Sequence, residues 1–474
     1  MTTVRCDVLV IGSGQGGNPF VGACAKAGRH AVLVERAHLG GTCVNEGCTP
    51  TKTMIASARV AYLARRAAEY GVDRPDVADG SHVHVDLARV RERKQEMVDS
   101  FRTGLERRLV EARVELIRGT ARFVGERTAE VAGPDGVKTF VAEVTVINTG
   151  LRPRIPQIPG LDGIPYLTST TIMELTELPE HLIVLGGGYV GLEFGQMFRR
   201  FGSRVTLLQR ADQLLPREDA DVAEEVARIL REDGIDVVLQ ASVSSVRRDD
   251  GEVRVEYRSG DSGSSSAPPT TVTGTHLLVA TGRAPNTHDL GLRAAGIASD
   301  EQGYVRVDDR LETTARGVYA VGDVKGGPAF THISYDDFRI LRRNLLQKES
   351  ASTNGRLVPY TVFIDPQLGR IGMTEREAQA GGWHVRVAKL PMRSVARALE
   401  VGEPRGFMKA LVDAESQRIL GASVLGTDGG EIAALLQLAM MGDLPYTALR
   451  DGVFAHPTLA ESMNNLFMAL DRDS

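Results

Sequence analysis

Two stretches of the chain share one order of apolar and polar positions. Val8–Ile11 is an apolar run without polar interruption, the pattern of a short strand buried on both faces of a sheet. A glycine loop follows, then a stretch of helical periodicity from Asn18 to Ala27 that Gly28 closes. A second strand, His30–Val34, then ends on Glu35. The order recurs later, with a strand at Leu182–Leu185, the glycines Gly186, Gly187 and Gly188, and a helix to about Phe201. Gly202 caps that helix, and a strand follows at Arg204–Leu208. The pattern predicts two βαβ units of one architecture rather than a short-period solenoid.

Between the units, helical periodicity runs from about Thr51 to Glu111, broken near the polar segment Gly71–Gly80, and strands continue to Ile147. Arg152–Gly160 (RPRIPQIPG) holds three prolines and reads as a connector. Asp261–Thr271 (DSGSSSAPPTT) reads as an exposed, flexible hairpin loop. A helix is expected after Tyr319–Gly322, and the polar patch Gln347–Gly355 marks a boundary. The remainder mixes strands (Tyr360–Ile364, Phe407–Val412) with a helix near Glu431–Met441. The expected fold class is therefore α/β: two Rossmann-like dinucleotide-binding domains followed by an α+β domain.

At 474 residues the chain is long for one domain, and ordinary domain sizes divide it into about two to four units. A formal net charge of −5 does not point to nucleic acid or to an anionic membrane. No apolar run approaches the ~20 residues that span a bilayer. The start MTTVRCDVLVIG lacks the marks of a secretory signal, so the cytosol is the expected location. Four cysteines are present: Cys6, Cys24, Cys43 and Cys48. Stable disulfides are rare in that compartment, so two cysteines five positions apart point to redox or metal chemistry.

The first glycine loop, GSGQGG, places Gly12, Gly14 and Gly17 in G-x-G-x-x-G spacing between strand and helix. Glycines there let the backbone approach a pyrophosphate, the helix N-terminus attracts its charge, and Glu35 can bond a ribose. The second loop, GGGYVGLEFG, repeats the spacing with Gly186, Gly188 and Gly191. Its second strand ends Leu208-Gln209-Arg210 without an acid. Arg210, with Arg217, either binds a 2′-phosphate, favouring NADP over NAD, or is a solvated surface charge. Cys43 is expected in a loop and Cys48 near a helix start, where the thiolate is favoured, with Pro50 in the first turn and Lys52 one turn on. The pair reads as a redox couple, a zinc half-site or two core thiols, and further zinc ligands are missing nearby. His456 and Glu461 are spaced either as a proton shuttle with its orienting carboxylate or as a surface pair. Cys6 and Cys24 read as core residues.

GGTCVNEGCTPTK (Gly40–Lys52), GGGYVGLEFG, VATGRAPNT, YAVGDV and HPTLAE occur in this order over nearly the whole chain. Together they resemble the class I pyridine nucleotide–disulfide oxidoreductases, the family of dihydrolipoyl dehydrogenase, glutathione reductase and mercuric reductase. TPTKTMIASA and GGPAFTHISYDDFRI look most like the mercuric-reductase-like and reactive-chlorine-resistance members. The resemblance implies an FAD-binding domain over 1–150, an NAD(P)-binding domain over 151–272, a central segment 273–345 returning to the first, and a dimerisation domain over 346–474. It implies that Cys43 attacks the acceptor, that Cys48 is the charge-transfer thiol beside the flavin, and that the two form a redox disulfide. Lys52 would pair with Glu193 near the flavin, and Tyr189 would cover the nicotinamide pocket. Asp323 would bond the ribityl chain, and Thr42, Thr149, Gly150, Gly282, Arg283 and His332 would lie on the cofactor side. His456, oriented by Glu461, would come from the partner subunit of an obligate homodimer with shared active sites. The expected activity is electron transfer from NADPH (NAD possible) through FAD and the Cys43–Cys48 disulfide to a disulfide or metal-ion acceptor. Its alternatives are a dihydrolipoyl dehydrogenase of a multienzyme complex and a low-turnover flavin redox sensor. Two departures stand out: the chain ends NNLFMALDRDS without the cysteine pair of mercuric reductases, and Gln209-Arg210 stands where a dihydrolipoyl dehydrogenase shows an acid.

Overall fold

The computed structural model describes residues 2–72, 83–260 and 269–473. β1 (Thr2–Ile11) is followed by α1 (Gly17–Lys26), β2 (Ala31–Glu35), α2 (Gly41–Asn45) and α3 (Cys48–Arg65), and later by β3 (Gly136–Ile147). β1 pairs in parallel with β2 on one side and β3 on the other. The expected strand at Val8–Ile11 extends back to Thr2 because β3 is long enough to pair with it from Thr2↔Lys138 to Ile11↔Ile147. The apolar run is continuous because both faces are covered. Val8 and Val10 join Phe20, Leu33 and Leu341 in one core, while Leu9 and Ile11 join Val32, Phe123 and Phe140 in another. α1 buries Phe20, Val21 and Cys24 and stops before Gly28, whose φ of +81° accommodates the reversal into β2.

This seven-stranded sheet belongs to the first of two compact units, comprising Met1–Met54, Ala88–Arg154 and Gly282–Arg356. Val318–Ala320 adds to it in parallel beside β3, and the segment Gly282–Arg356 that contains it belongs to the first unit. Leu151–Pro153, at the start of the proline-rich connector, forms a short antiparallel pair with Arg283–Pro285. The helical region divides into α3, a 3-10 turn at Ala67–Tyr70 and the helix Leu87–Glu111. Most of the Gly71–Gly80 interruption lies outside the described residues.

The second unit comprises Ile55–Leu87, Ile155–Thr281 and Leu357–Ser474. It repeats the βαβ plan with β4 (His181–Leu185), α4 (Tyr189–Phe201) and β5 (Arg204–Leu208) in a four-stranded parallel sheet. His276–Val279 pairs with β4 in this sheet, although the sequence reading puts those residues in the segment 273–345. A three-stranded antiparallel sheet joins Ala241–Asp249, Glu252–Ser259 and Thr270–Gly274. Of the expected hairpin loop, residues 261–268 lie outside the described residues, and Thr270 and Thr271 are already in the returning strand. The C-terminal part is a five-stranded antiparallel sheet against which the helix Gly429–Met441 buries Ile432, Ala433, Leu436 and Ala439. Among the described residues no helix is long and apolar enough to cross a membrane.

Candidate active site

The first glycine loop is shaped by close backbone approach. Gly12 has φ +97°, and a Cβ there would overlap the Asn148 carbonyl oxygen; at Gly14 it would come within 2.6 Å of Asn148 Oδ1, and at Gly17 within 2.7 Å of the Gly12 oxygen. Asn148 Oδ1 accepts from the Gly17 N–H (2.9 Å) and its Nδ2 donates to the Val321 carbonyl (2.9 Å). Asn148 therefore ties the loop to the segment after Val318–Ala320. In the sequence Asn148 is marked only as one amide ending an apolar strand, beside Thr149 and Gly150. Glu35 is buried and accepts from Ser13 N–H (2.9 Å), Ser13 Oγ–H (2.6 Å) and Ala37 N–H (2.8 Å), so its carboxylate first fixes the loop it faces.

A cavity of about 210 Å³, lined by Gly12, Gly14, Glu35, Thr42 and Thr149 among others, opens at this loop. Thr149 Oγ1, in its lining, is buried with no hydrogen-bond partner among the described residues, as is Arg283 Nε. Arg283 also donates to the Leu151 carbonyl (3.0 Å) and Thr42 Oγ1 (3.4 Å). Gly150 (φ +64°) accepts the Asn286 N–H at 3.0 Å, and Gly282 (φ +125°) accepts the Arg154 N–H at 3.0 Å. Burial pushes the Asp323 carboxyl above the ordinary range, and Arg283 and Lys325 draw it back. Asp337, fully buried, receives the Gly322 N–H (2.8 Å), Lys325 (3.3 Å) and Arg356 (2.7 Å). A glycine cradle, a helix N-terminus and unpartnered buried donors suit a pyrophosphate-bearing dinucleotide.

Cys43 is in the short helix α2, not in a loop. Gly40 turns the chain at φ +104°, and Asn45 Nδ2 donates back to the Leu39 (2.9 Å) and Gly41 (2.8 Å) carbonyls, closing that turn. Cys48 opens α3, with Lys52 one turn further on. Neither cysteine is in a disulfide; Cys43 is half-buried and Cys48 exposed. A hydrogen bond to Cys48 is the main reason the Cys43 thiol is pushed up; burial adds to it, and Thr331 and Lys52 oppose it. Thr331 Oγ1 lies 3.3 Å from Cys48 Sγ. His332, next to it, stacks on Phe330 at 5.4 Å. Burial pushes Cys6 up to about 11 and Cys24 to about 12, the environment of unreactive core thiols.

The second unit repeats the loop geometry. At Gly186 (φ +111°) a Cβ would come within 2.5 Å of the Ala280 oxygen, and at Gly191 it would overlap the Gly186 oxygen, whereas Gly188 faces open space. Gln209 is buried and accepts the Gly187 N–H at 3.0 Å, the bond Glu35 makes to Ser13 in the first unit. Arg210 and Arg217 are exposed on the loop that follows. Tyr189 opens α4 and is 38% exposed; Glu193 is buried and accepts the Phe363 N–H at 2.9 Å. His456 Nδ1 is 2.9 Å from both Glu461 oxygens, and its ring is 72% exposed. The cysteine pair and first cradle thus belong to the first unit, and the second cradle, Glu193 and the His456–Glu461 pair to the second.

Residues 6–337 match the pyridine nucleotide-disulphide oxidoreductase family, and residues 358–467 match its dimerisation domain. The chain belongs to this family. It is a flavoprotein oxidoreductase of the disulfide-reductase type, and the family binds FAD and a nicotinamide cofactor. Across 98% of this oxidoreductase and 99% of the relative, it is 39% identical to the probable pyridine nucleotide-disulfide oxidoreductase RclA of Escherichia coli. It is 34% identical to a mercuric reductase of Bacillus cereus, covering 98% of this chain and 72% of that protein. The Cu(II) complex of the HOCl-induced flavoprotein disulfide reductase RclA from E. coli superposes with a TM-score of 0.88 at 39% identity, covering 98% and 99% of the two chains.

Proposed function

We propose that this oxidoreductase draws two electrons from NADPH and delivers them through Cys43 and Cys48 to a disulfide or thiophilic metal-ion acceptor. The observation that carries the reading is the unequal cysteine pair: a shared hydrogen bond and burial keep the proton on Cys43, while Cys48 starts a helix beside a hydroxyl. In the domain scheme this implies, FAD is held by the first unit through Gly12, Gly14, Gly17, Thr149, Arg283 and Asp323. NADPH is held by the second unit through Gly186, Gly188, Gly191 and Arg210. When bound, the flavin supplies the two-electron link between nicotinamide and cysteines. The buried neutral Gln209 and the exposed Arg210 and Arg217 favour a 2′-phosphate, which a carboxylate at that strand end would repel.

In a homodimer with shared sites, His456, oriented by Glu461, takes the Cys43 proton. The Cys43 thiolate attacks a sulfur of the acceptor disulfide, that S–S bond breaks, and the imidazolium protonates the leaving thiolate. The Cys48 thiolate then attacks Cys43 in the mixed disulfide, forming the Cys43–Cys48 disulfide and releasing the second thiolate. A Cu(II) or mercuric ion, the chemistry in the names of two relatives, would meet the same two sulfurs. The cytosol, where thiol pools are reducing, is the setting in which such a pair cycles.

The test is a panel of disulfide and metal-ion acceptors under NADPH and NADH in turn. Cys43→Ala should abolish disulfide reduction. Arg210→Ala should raise KM for NADPH about tenfold or more, the worth of a charged hydrogen bond, and leave KM for NADH unchanged. Disulfide reduction that survived Cys43→Ala would remove the thiol relay. Equal use of both nucleotides, untouched by Arg210→Ala, would remove the NADPH assignment.

A further inference from the structure

We infer that Gln213 is a specificity-positioning residue for the nucleotide: its side-chain amide closes the loop from Gln209 to Glu218 and so presents Arg210 and Arg217 to a 2′-phosphate. The inference rests on the reading of the second unit as an NADPH site.

The loop starts on the second glycine cradle. The Gly187 N–H donates to Gln209 Oε1 (3.0 Å), and the Gly187 carbonyl accepts the Leu215 N–H (2.9 Å). Leu214 is fully buried and packs so closely that a Cβ on Gly187 would come within 2.6 Å of its Cδ2. The Ala211 carbonyl accepts the Gln240 N–H at 2.9 Å. Leu215 turns the chain at φ +45°, a left-handed conformation that is unfavourable for a bulky side chain and persists only where the surroundings hold it.

Two side-chain amides span this turn in series. Gln209 Nε2 donates to the Gln213 carbonyl (3.0 Å), and Gln213 Nε2 donates to the carbonyls of Glu218 (3.1 Å) and Leu215 (3.4 Å). Glu218 is in turn fixed from outside the loop. Its buried carboxylate accepts from the Tyr360 hydroxyl and lies 3.4 Å from Arg370 Nη1. Both partners belong to the C-terminal sheet, on the strands Tyr360–Val362 and Gln367–Gly372. Arg370 also reaches Asp219 (3.3 Å), which accepts the Glu375 N–H at 2.9 Å. Buried ions of this kind add little net stability over an apolar core, and fixing one register is their best-attested use.

Arg210 directly follows Gln209, and Arg217 directly precedes Glu218, so each exposed arginine is anchored through a neighbour at one end of the clasp. A 2′-phosphate that meets them does not have to order the backbone first, and binding escapes that entropic cost. Opening the clasp restores the cost for a nucleotide carrying the phosphate. A nucleotide with a free 2′-hydroxyl makes no use of the arginines and is unaffected.

The experiment is calorimetric titration of the oxidised holoenzyme with NADP+ and with NAD+. Gln213→Met keeps the side-chain length and removes the donor; Gln213→Ala removes the donor and the bulk. Both should raise the Kd for NADP+ about three- to tenfold, the size expected for neutral hydrogen bonds lost, and leave the Kd for NAD+ within about twofold of the wild type. A donor-less variant with the wild-type Kd for NADP+ overturns the inference. So does an equal loss of affinity for NAD+, which marks a general disturbance of the cradle. The NADPH reading fails in a different measurement: the wild type itself then binds both nucleotides equally, and the inference falls with it.

Discussion

Cys43 and Cys48 carry the same side chain, and their neighbours make them different reagents. Cys43 is pushed up first by its hydrogen bond to Cys48 and then by burial. Near neutral pH it is a thiol, and its thiolate fraction grows as pH rises. In the proposed relay Cys43 in that state needs a base, and the His456–Glu461 pair is the one proposed: the Nδ1 side of the ring is fixed at 2.9 Å and the rest is exposed. His456→Ala should therefore lower kcat for disulfide acceptors by about 10²–10⁴, the usual contribution of a positioned proton shuttle. The remaining activity should rise with pH toward the Cys43 ionisation, because solvent then removes the proton. A kcat–pH profile of the variant that stayed flat would show that Cys43 does not have to lose a proton in the slow step. At this scale the cysteine pair and the His456–Glu461 contact are legible in the sequence as spacings. Spacing gave no sign of Asn148 or Thr331, whose partners lie 131 and 283 residues away along the chain.

α4 illustrates what an element adds. Glu193, Gln196 and Arg200 fall at i, i+3 and i+7, one face of the helix, and all three are buried. They bind one short segment: Glu193 accepts the Phe363 N–H (2.9 Å), and Gln196 accepts the Asp365 N–H (2.7 Å) and donates to the Asp365 carbonyl (2.8 Å). Arg200 pairs with the Asp365 carboxylate. Arg200 also lies 3.9 Å over the Tyr62 ring and 3.5 Å from Asp233. Burial alone would raise the Asp365 carboxyl, but Arg200 and Arg59 outweigh it and hold it below the ordinary range. A carboxyl depressed in the folded state contributes stability that is present above its unfolded pKa and lost as pH falls through the folded one. Acid melting of the wild type should show this loss below the ordinary aspartate range, and Asp365→Asn should remove that part of the slope. Arg200→Ala removes one of the two arginines on the buried Asp365 carboxylate, leaving the partly exposed Arg59, and should cost about 1–3 kcal/mol in urea unfolding. A cost under about 1 kcal/mol, the level of an exposed pair, would mean that solvent reaches the site. The spacing of these three residues is legible in GLEFGQMFRR, but their partners are not, because Phe363 and Asp365 join them only when the C-terminal sheet forms.

For the whole molecule, the match of residues 358–467 to a dimerisation domain bears on an exposed apolar surface. Leu438 is 62% exposed, Met441 64%, and Val453, three residues before His456, is fully exposed. Large side chains left open in this way are usual at surfaces that bury against a partner. The double substitution Leu438→Asp and Met441→Asp should give monomers in sedimentation. It should abolish disulfide reduction while sparing NADPH-dependent reduction of a dye that bypasses the thiols. A monomer with full disulfide-reductase activity would contradict shared sites.

The sequence by itself determined the two βαβ units, the glycine loops at their strand ends and the cysteine pair at a helix start. Each is set by residues near one another in the chain: apolar runs that form strands, glycines that permit positive φ, and a proline tolerated in a first turn. Only the tertiary structure decided that β1 begins at Thr2, because β3 supplies the pairing partners, and that Cys43 sits in a helical turn closed by Asn45. It alone joined His276–Val279 to the second sheet and gave Gln209 in that unit the bond that Glu35 makes in the first. It also brought Thr331 to Cys48. These features depend on hydrogen bonds between segments distant in sequence, and local periodicity carries no record of such partners.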